Sequence, residues 1–286
     1  MVLEILIGPR GAERRPWEMI FFGFLYASIA IFLARWVFQN NASLVMVFLT
    51  VIASLYLVQM TLKLEEKKDI KIKEERLLLK EHFKALAVFM LLFLGYAFAF
   101  SFWYIVLPPN EVNTIFDVQI QTIQEVNRVS SVSANAVQNA ALFNVIFTNN
   151  IKVLLFCILF AFFYGAGALF ILVWNASVVG TAMGSFVRSG IASMAQQVGL
   201  WNVAAYFQHY SLSLVRYLTH GSFEILAYFM AALGAGIISI AVVRHDFREG
   251  KFMHILFDSI DLIVMSILVL VVAALVEVYI TPLFFS

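Results

Sequence analysis

Apolar residues along this chain come in long unbroken runs, without the alternation of a half-buried strand or the single stripe of a surface helix. Residues 19–38, 43–62 and 85–107 form three such runs. Each is long enough to cross the ~30 Å hydrocarbon layer of a membrane, which takes about 20 largely apolar residues in a helix. Further runs span residues 151–174, 223–243 and 255–280. Between them, residues 175–199 are only moderately apolar and carry Gly180, Gly184, Arg188 and Gly190. Counting that stretch as the fifth crossing gives seven, with six as the alternative. The pattern predicts an all-α fold, a polytopic transmembrane helical bundle, with an extracytoplasmic helical segment between spans three and four.

Two polar segments interrupt the runs. From residue 65 to 84 charges of both signs are interleaved with Ile70, Leu77, Leu78 and Phe83, which predicts a salt-bridged amphipathic helix continuing into the third span. Its ordinary reading is a solvated cytoplasmic hairpin rather than a dedicated docking site. In the segment 108–150, Val112, Phe116, Ile120 and Ile123 fit one helical face, and a stretch rich in Ser, Ala and Asn follows. That segment is expected either to lie on the membrane surface or to pack over the bundle. The chain then divides into an N-terminal three-span region, 1–107, with the charged hairpin 63–84, an extracytoplasmic segment, 108–150, and a C-terminal membrane core, 151–286.

Composition strengthens the membrane reading: of 286 residues, 62% are hydrophobic and 13% charged, against about 45–50% and 25% in soluble domains. Several soluble domains are thereby excluded. A formal net charge of +1 leaves no bulk basic surface for nucleic acid. The single cysteine, Cys157, cannot form an intramolecular disulfide and is expected to fill space in a helix. The opening lacks the order of a cleaved signal peptide, so insertion is expected to begin with the first span.

Charge placement sets an expected orientation in the cell membrane. The segment 63–84 holds eight Lys and Arg residues, while 108–150 holds only Arg128. Basic excess marks the cytoplasmic side, so the N-terminus, with Arg10, Arg14 and Arg15, is expected inside. Seven spans then put the C-terminus outside.

Polar side chains within spans are the candidates for function, because lipid offers them no hydrogen-bond partners. Asn149 and Asn150 stand at the expected entrance to the fourth span, as helix caps or interhelical donors. Gly165, Gly167, Asn175, Gly180 and Gly184 form a ladder of small and polar positions. The pair Gly180 and Gly184 permits close helix approach, within one chain more readily than between two. His220 and Glu224, at i and i+4, share a helix face at the start of the sixth span. A carboxylate at this depth needs a partner, and His220, Asn149, Asn150 and Arg216 are available. A polar clamp between spans four and six is the favoured reading over proton relay, metal binding or acid–base catalysis. Metal-dependent hydrolysis needs at least three convergent ligands, which no histidine or cysteine pattern supplies here. Asp258 and Asp261 are read as interfacial anchors. No phosphate-cradling loop or serine-nucleophile elbow occurs.

The stretch from Thr148 to Gly180 followed by HGSFEILAYFMAALGAG resembles the stage II sporulation protein M family of integral membrane proteins. The matching positions are Asn149, Asn150, Gly165, Asn175, Gly180, His220, Gly221, Glu224, Ala227, Gly234 and Gly236. The opening ERRPWEM looks like the start of archaeal members. One departure is Thr219, where the family often has proline before the His-Gly pair. The resemblance implies a membrane component that, in spore-forming bacteria, works with peptidoglycan-degrading partners in membrane migration during engulfment.

The expectation is a non-enzymatic integral membrane scaffold, in contact with the lipid bilayer, that forms a homodimer or recruits other membrane or envelope proteins in membrane remodelling or division. No cofactor or metal is expected. The alternatives are a transporter or channel with a polar path through Glu224, His220, Asn149 and Asn150, and, ranked last, an intramembrane metal-dependent hydrolase.

Overall fold

Helix length is the first feature that hydropathy alone does not set. In the computed structural model, which describes residues 8–72, 74–134, 139–161, 166–198, 203–243 and 251–281, helices run well past the apolar stretches that seed them. In chain order they are α1 (Pro9–Arg14), α2 (Glu18–Val37), α3 (Ala42–Lys71), α4 (Glu75–Val106), α5 (Pro109–Ile115), α6 (Asp117–Ala134), α7 (Asn139–Ala161), α8 (Ala166–Val198), α9 (Val203–Val243) and α10 (Lys251–Leu275). A single π-helical turn, Val276–Ile280, closes α10. Seven of these helices are long and apolar enough to cross a membrane: α2, α3, α4, α7, α8, α9 and α10. The moderately apolar fifth stretch is thus part of one continuous helix, α8.

The boundaries have local causes. Pro9 occupies the first turn of α1 and Pro109 that of α5, where a missing backbone N–H costs nothing and the ring presets φ. Leu107 is extended ahead of the Pro108–Pro109 pair, as the residue before a proline is driven to be, so α4 stops there. Between α3 and α4 the chain turns at Ile72 and Glu74, both in extended conformation. The charged segment is therefore two helix ends, and not one amphipathic helix leading into the third span.

At the centre, α4 is gripped by α2 on one side and α8 on the other through glycines. A Cβ built on Gly23 would stand 2.4 Å from the Leu92 carbonyl oxygen, and one on Gly180 would stand 2.7 Å from that of Ala97. Gly184 lies against the Tyr104 ring, Gly234 of α9 against the Ser259 carbonyl of α10, and Gly236 against Leu62 of α3. Helix contact in lipid is driven by such close packing, because lipid tails are as apolar as the side chains themselves. The small residues are used for contacts inside one chain. One apolar core runs from Ala12 to Leu270 and includes Tyr96, Phe100, Leu154, Cys157 and Met230. Of the spanning helices, α9 and α4 are the most buried and α7 the least. Leu155, Phe156 and Leu159 of α7 and Phe257, Val264 and Leu268 of α10 face outward.

The segment between α4 and α7 packs over the bundle. Phe116 breaks the helix into α5 and α6, yet it is fully buried and sits edge-to-face with Tyr104 at 5.4 Å. Behind it Gln119 is buried and fully used: its Oε1 accepts from Ser43 Oγ at 2.6 Å, and its Nε2 donates to Ser43 O at 3.3 Å and Ser177 Oγ at 3.2 Å. One side chain thus pins α6 to α3 and α8.

Candidate functional site

Two polar assemblies lie at opposite ends of the bundle. The first joins α7 to α9. Asn150 stands in the middle of α7, since that helix begins at Asn139, so neither Asn149 nor Asn150 caps a helix. Residues 139–148 already belong to the helix, and it is this added length that moves the pair off the terminus. Asn149 is exposed, whereas Asn150 turns inward. Its Oδ1 accepts from the Tyr228 hydroxyl at 2.9 Å and its Nδ2 donates to Glu224 Oε1. Glu224 and Tyr228 are four apart on α9, so they present one face to Asn150. Glu277, in the π-helical turn after α10, stands beside Glu224 from a third helix. A π turn displaces one residue from the regular helical track, and here Thr281 Oγ1 reaches back to the Val276 carbonyl at 3.2 Å across it.

The other candidates are not gathered here. His220 and Gly221 lie inside the long helix α9 rather than at its start. The His220 side chain falls outside the described residues, as does Gly165, and a Cβ on Gly221 would meet nothing within 4 Å. Asn175 donates to the Ile171 carbonyl of its own helix at 2.8 Å. Gly167 packs against the Phe160 side chain. Arg188 is stabilised by donating to the Tyr104 carbonyl at 3.1 Å, one of the last carbonyls of α4, where the helix dipole favours a cation.

The second assembly was not legible as a site. Glu65, Glu66 and Asp69, at the end of α3, have no exposed surface, and His82 of α4 is 2% exposed. The charged hairpin is therefore solvated on one side only: Lys67, Lys71, Glu74, Arg76, Lys80 and Lys84 are exposed, while Glu65, Glu66 and Asp69 turn inward beneath the two helix ends. His82 Nδ1 donates to Glu65 Oε2 at 2.8 Å, and Nε2 lies 3.1 Å from Asp69 Oδ1. The ring thus stands between two carboxylates, hydrogen-bonded to Glu65 and within ion-pair distance of Asp69. Lys68 Nζ reaches Glu65 at 2.7 Å, Glu13 of α1 at 2.9 Å and Glu81 at 3.2 Å. Burial holds the Glu13 carboxyl above the usual carboxylate range, against the lowering effect of its bond to Lys68. Asp258 is turned inward and lies 3.2 Å from His254, whereas Asp261 is exposed. Of the two expected anchors, only Asp261 faces out. An open cavity of about 240 Å³ is lined by His82, Asp258, Asp261 and apolar neighbours.

Chemically, the first assembly is an interhelical hydrogen-bond clamp with a second acid beside it, and the second is a cluster of buried carboxylates tied together by Lys68 and His82. Among the described residues no group of three or more His, Cys, Asp or Glu comes together in a way that could hold a metal ion.

Against this geometry, the family model described as Stage II sporulation protein M matches residues 43–282, from the start of α3 to beyond the π turn. The match takes in two of the first three spans as well as the C-terminal core. No curated protein and no solved structure matches the chain.

Proposed function

Since the chain belongs to the stage II sporulation protein M family, we propose that it is a non-enzymatic scaffold of the cell membrane that recruits partners in membrane remodelling or division. The observation that carries this reading is the Asn150 amide. Both its ends are spent on α9, one accepting from Tyr228 and one donating to Glu224. The polar residues inside the bundle are thus used to fix helices against each other, which is what a rigid platform needs. Such a platform presents the 108–150 segment on one face and the α3–α4 hairpin on the other. By basic-residue placement the hairpin face is cytoplasmic and the 108–150 face lies outside. The partners are a second copy of this chain and other envelope proteins.

The test is native mass spectrometry of the protein extracted gently from its own membrane. The expected spectrum is a metal-free oligomer with a retained protein partner, lost when both polar segments are replaced. A partnerless monomer whose cellular role survives those replacements would overturn the scaffold.

One observation favours a second reading, a transport path: a clamp with Asn150 needs only one acid, yet Glu277 lies beside Glu224. Proteoliposomes that show solute or proton flux abolished by Glu224→Gln would establish it, and absence of flux with and without a pH gradient would remove it.

A further inference from the structure

The short helix α1 and the end of α3 enclose a cleft of about 260 Å³ lined by Arg10, Glu13, Leu64, Lys67, Lys68 and Lys71. Its charges do not cancel. Glu13 is spent on Lys68, which also meets Glu65 and Glu81 and so adds no free positive charge to the cleft. Arg10, Lys67 and Lys71 are exposed and form no ion pair among the described residues. Three uncompensated cations therefore surround one concave space.

The place of the cleft in the membrane identifies what would fill it. Trp17 stands exposed between α1 and α2, where the apolar run of α2 begins. An exposed tryptophan at a helix end sits at the level of lipid headgroups. The apolar run of α3 ends two residues before Leu64, so the wall of the cleft passes from apolar to cationic at the same level. We infer that this cleft binds the phosphate-bearing headgroup of an anionic membrane lipid. Arg10 offers the planar fork that matches phosphate oxygens, Lys67 and Lys71 act as point charges, and Leu64 forms the edge toward the acyl chains. The tie between Glu13 and Lys68 holds α1 in place, so the cleft is formed before any lipid arrives.

A basic residue near an anionic surface strengthens association by about fivefold, and three together by on the order of a hundredfold. The test uses the full-length protein in neutral detergent micelles, titrated with phosphatidylglycerol or phosphatidylcholine and read by native mass spectrometry for lipid retained per chain. The expected result is one phosphatidylglycerol retained in preference to phosphatidylcholine. Each of Arg10→Gln, Lys67→Gln and Lys71→Gln should weaken it about fivefold and the triple variant about a hundredfold, while Lys152→Gln on α7 leaves it unchanged. Should the triple variant not fold, the three single variants carry the test. Equal retention of the two lipids, or undiminished retention in the variants, would overturn the site. Displacement of the lipid by millimolar inorganic phosphate would also overturn it, by assigning the cleft to a soluble anion.

Discussion

Gly23 of α2 and Gly95 of α4 meet backbone to backbone: a Cβ on Gly95 would stand 2.9 Å from the Gly23 Cα and 2.3 Å from the Ile20 carbonyl oxygen. Replacing a helical glycine by alanine ordinarily stabilises by about 0.5–1 kcal/mol. Here overpacking works against that gain, at about 1–3 kcal/mol, and the obstructing atoms are backbone that no rotamer change can clear. Gly95→Ala should therefore lower the melting temperature in detergent. A melting temperature that rises would mean that α2 and α4 are not in contact.

The clamp makes a smaller claim. Interhelical hydrogen bonds in membranes contribute about 0.6 kcal/mol on average and up to about 1.7. Asn150→Leu removes both bonds to α9 and should destabilise by roughly 1–3 kcal/mol. A double-mutant cycle with Tyr228→Phe should return a coupling near 0.6 kcal/mol. Zero coupling would show that the two side chains act independently.

Removing His82 should do far more damage. His82→Ala strips Glu65 and Asp69 of a partner they share, and breaking a buried charge pair from one side costs about 3–5 kcal/mol. The loss should appear as a large fall in unfolding midpoint. Adding Glu65→Gln and Asp69→Asn to His82→Ala should recover part of it, because the uncompensated charges are then gone. If the triple variant is no more stable than the single one, the network is not what holds the hairpin.

By contrast, Arg35 and Glu111 pair at a surface where their side chains are 44% and 30% exposed. Exposed pairs contribute about 0–1 kcal/mol. Glu111→Gln should leave the unfolding midpoint unchanged within error, and a shift comparable to that of His82→Ala would contradict this ranking.

The seven spans were legible in the sequence because a lipid solvent demands about 20 apolar residues per crossing, and that demand shows even in the glycine-rich α8. Helix ends were less legible, because hydropathy marks where a helix is in lipid and not where it stops. Asn150 therefore read as a cap although it stands mid-helix, and the start of α9 lies well before His220. The partnership of Asn150 with Glu224 is one of several options in the sequence; Tyr228, four residues after Glu224, shares its face but reads as an ordinary aromatic of the span, and Glu277 lies too far along the chain for spacing to connect it. The burial of Glu65, Asp69 and His82, in a hairpin whose Lys67, Lys71, Glu74 and Arg76 stay exposed, has no signature in the sequence. Interleaved charges look alike whether they face water or one another, and only the packing of the α3 end against the start of α4 decides between the two. Gln119 likewise gave no signal, because its role depends on Ser43 and Ser177, far away in sequence.

The central position of α4 has a consequence in time. Its glycine-matched neighbour α2 is made before it, but Gly180, which fills the groove beside Ala97 and Phe100, follows about eighty residues later. At ~5–20 residues per second, a ribosome takes roughly 4–16 s to reach it. Throughout that interval one flank of α4 faces lipid, including Ser101, whose hydroxyl has no hydrogen-bond partner among the described residues even in the finished bundle. Biogenesis thus passes through a half-built state with an open slot beside α4, which α8 closes from the same chain with the advantage of being tethered to it.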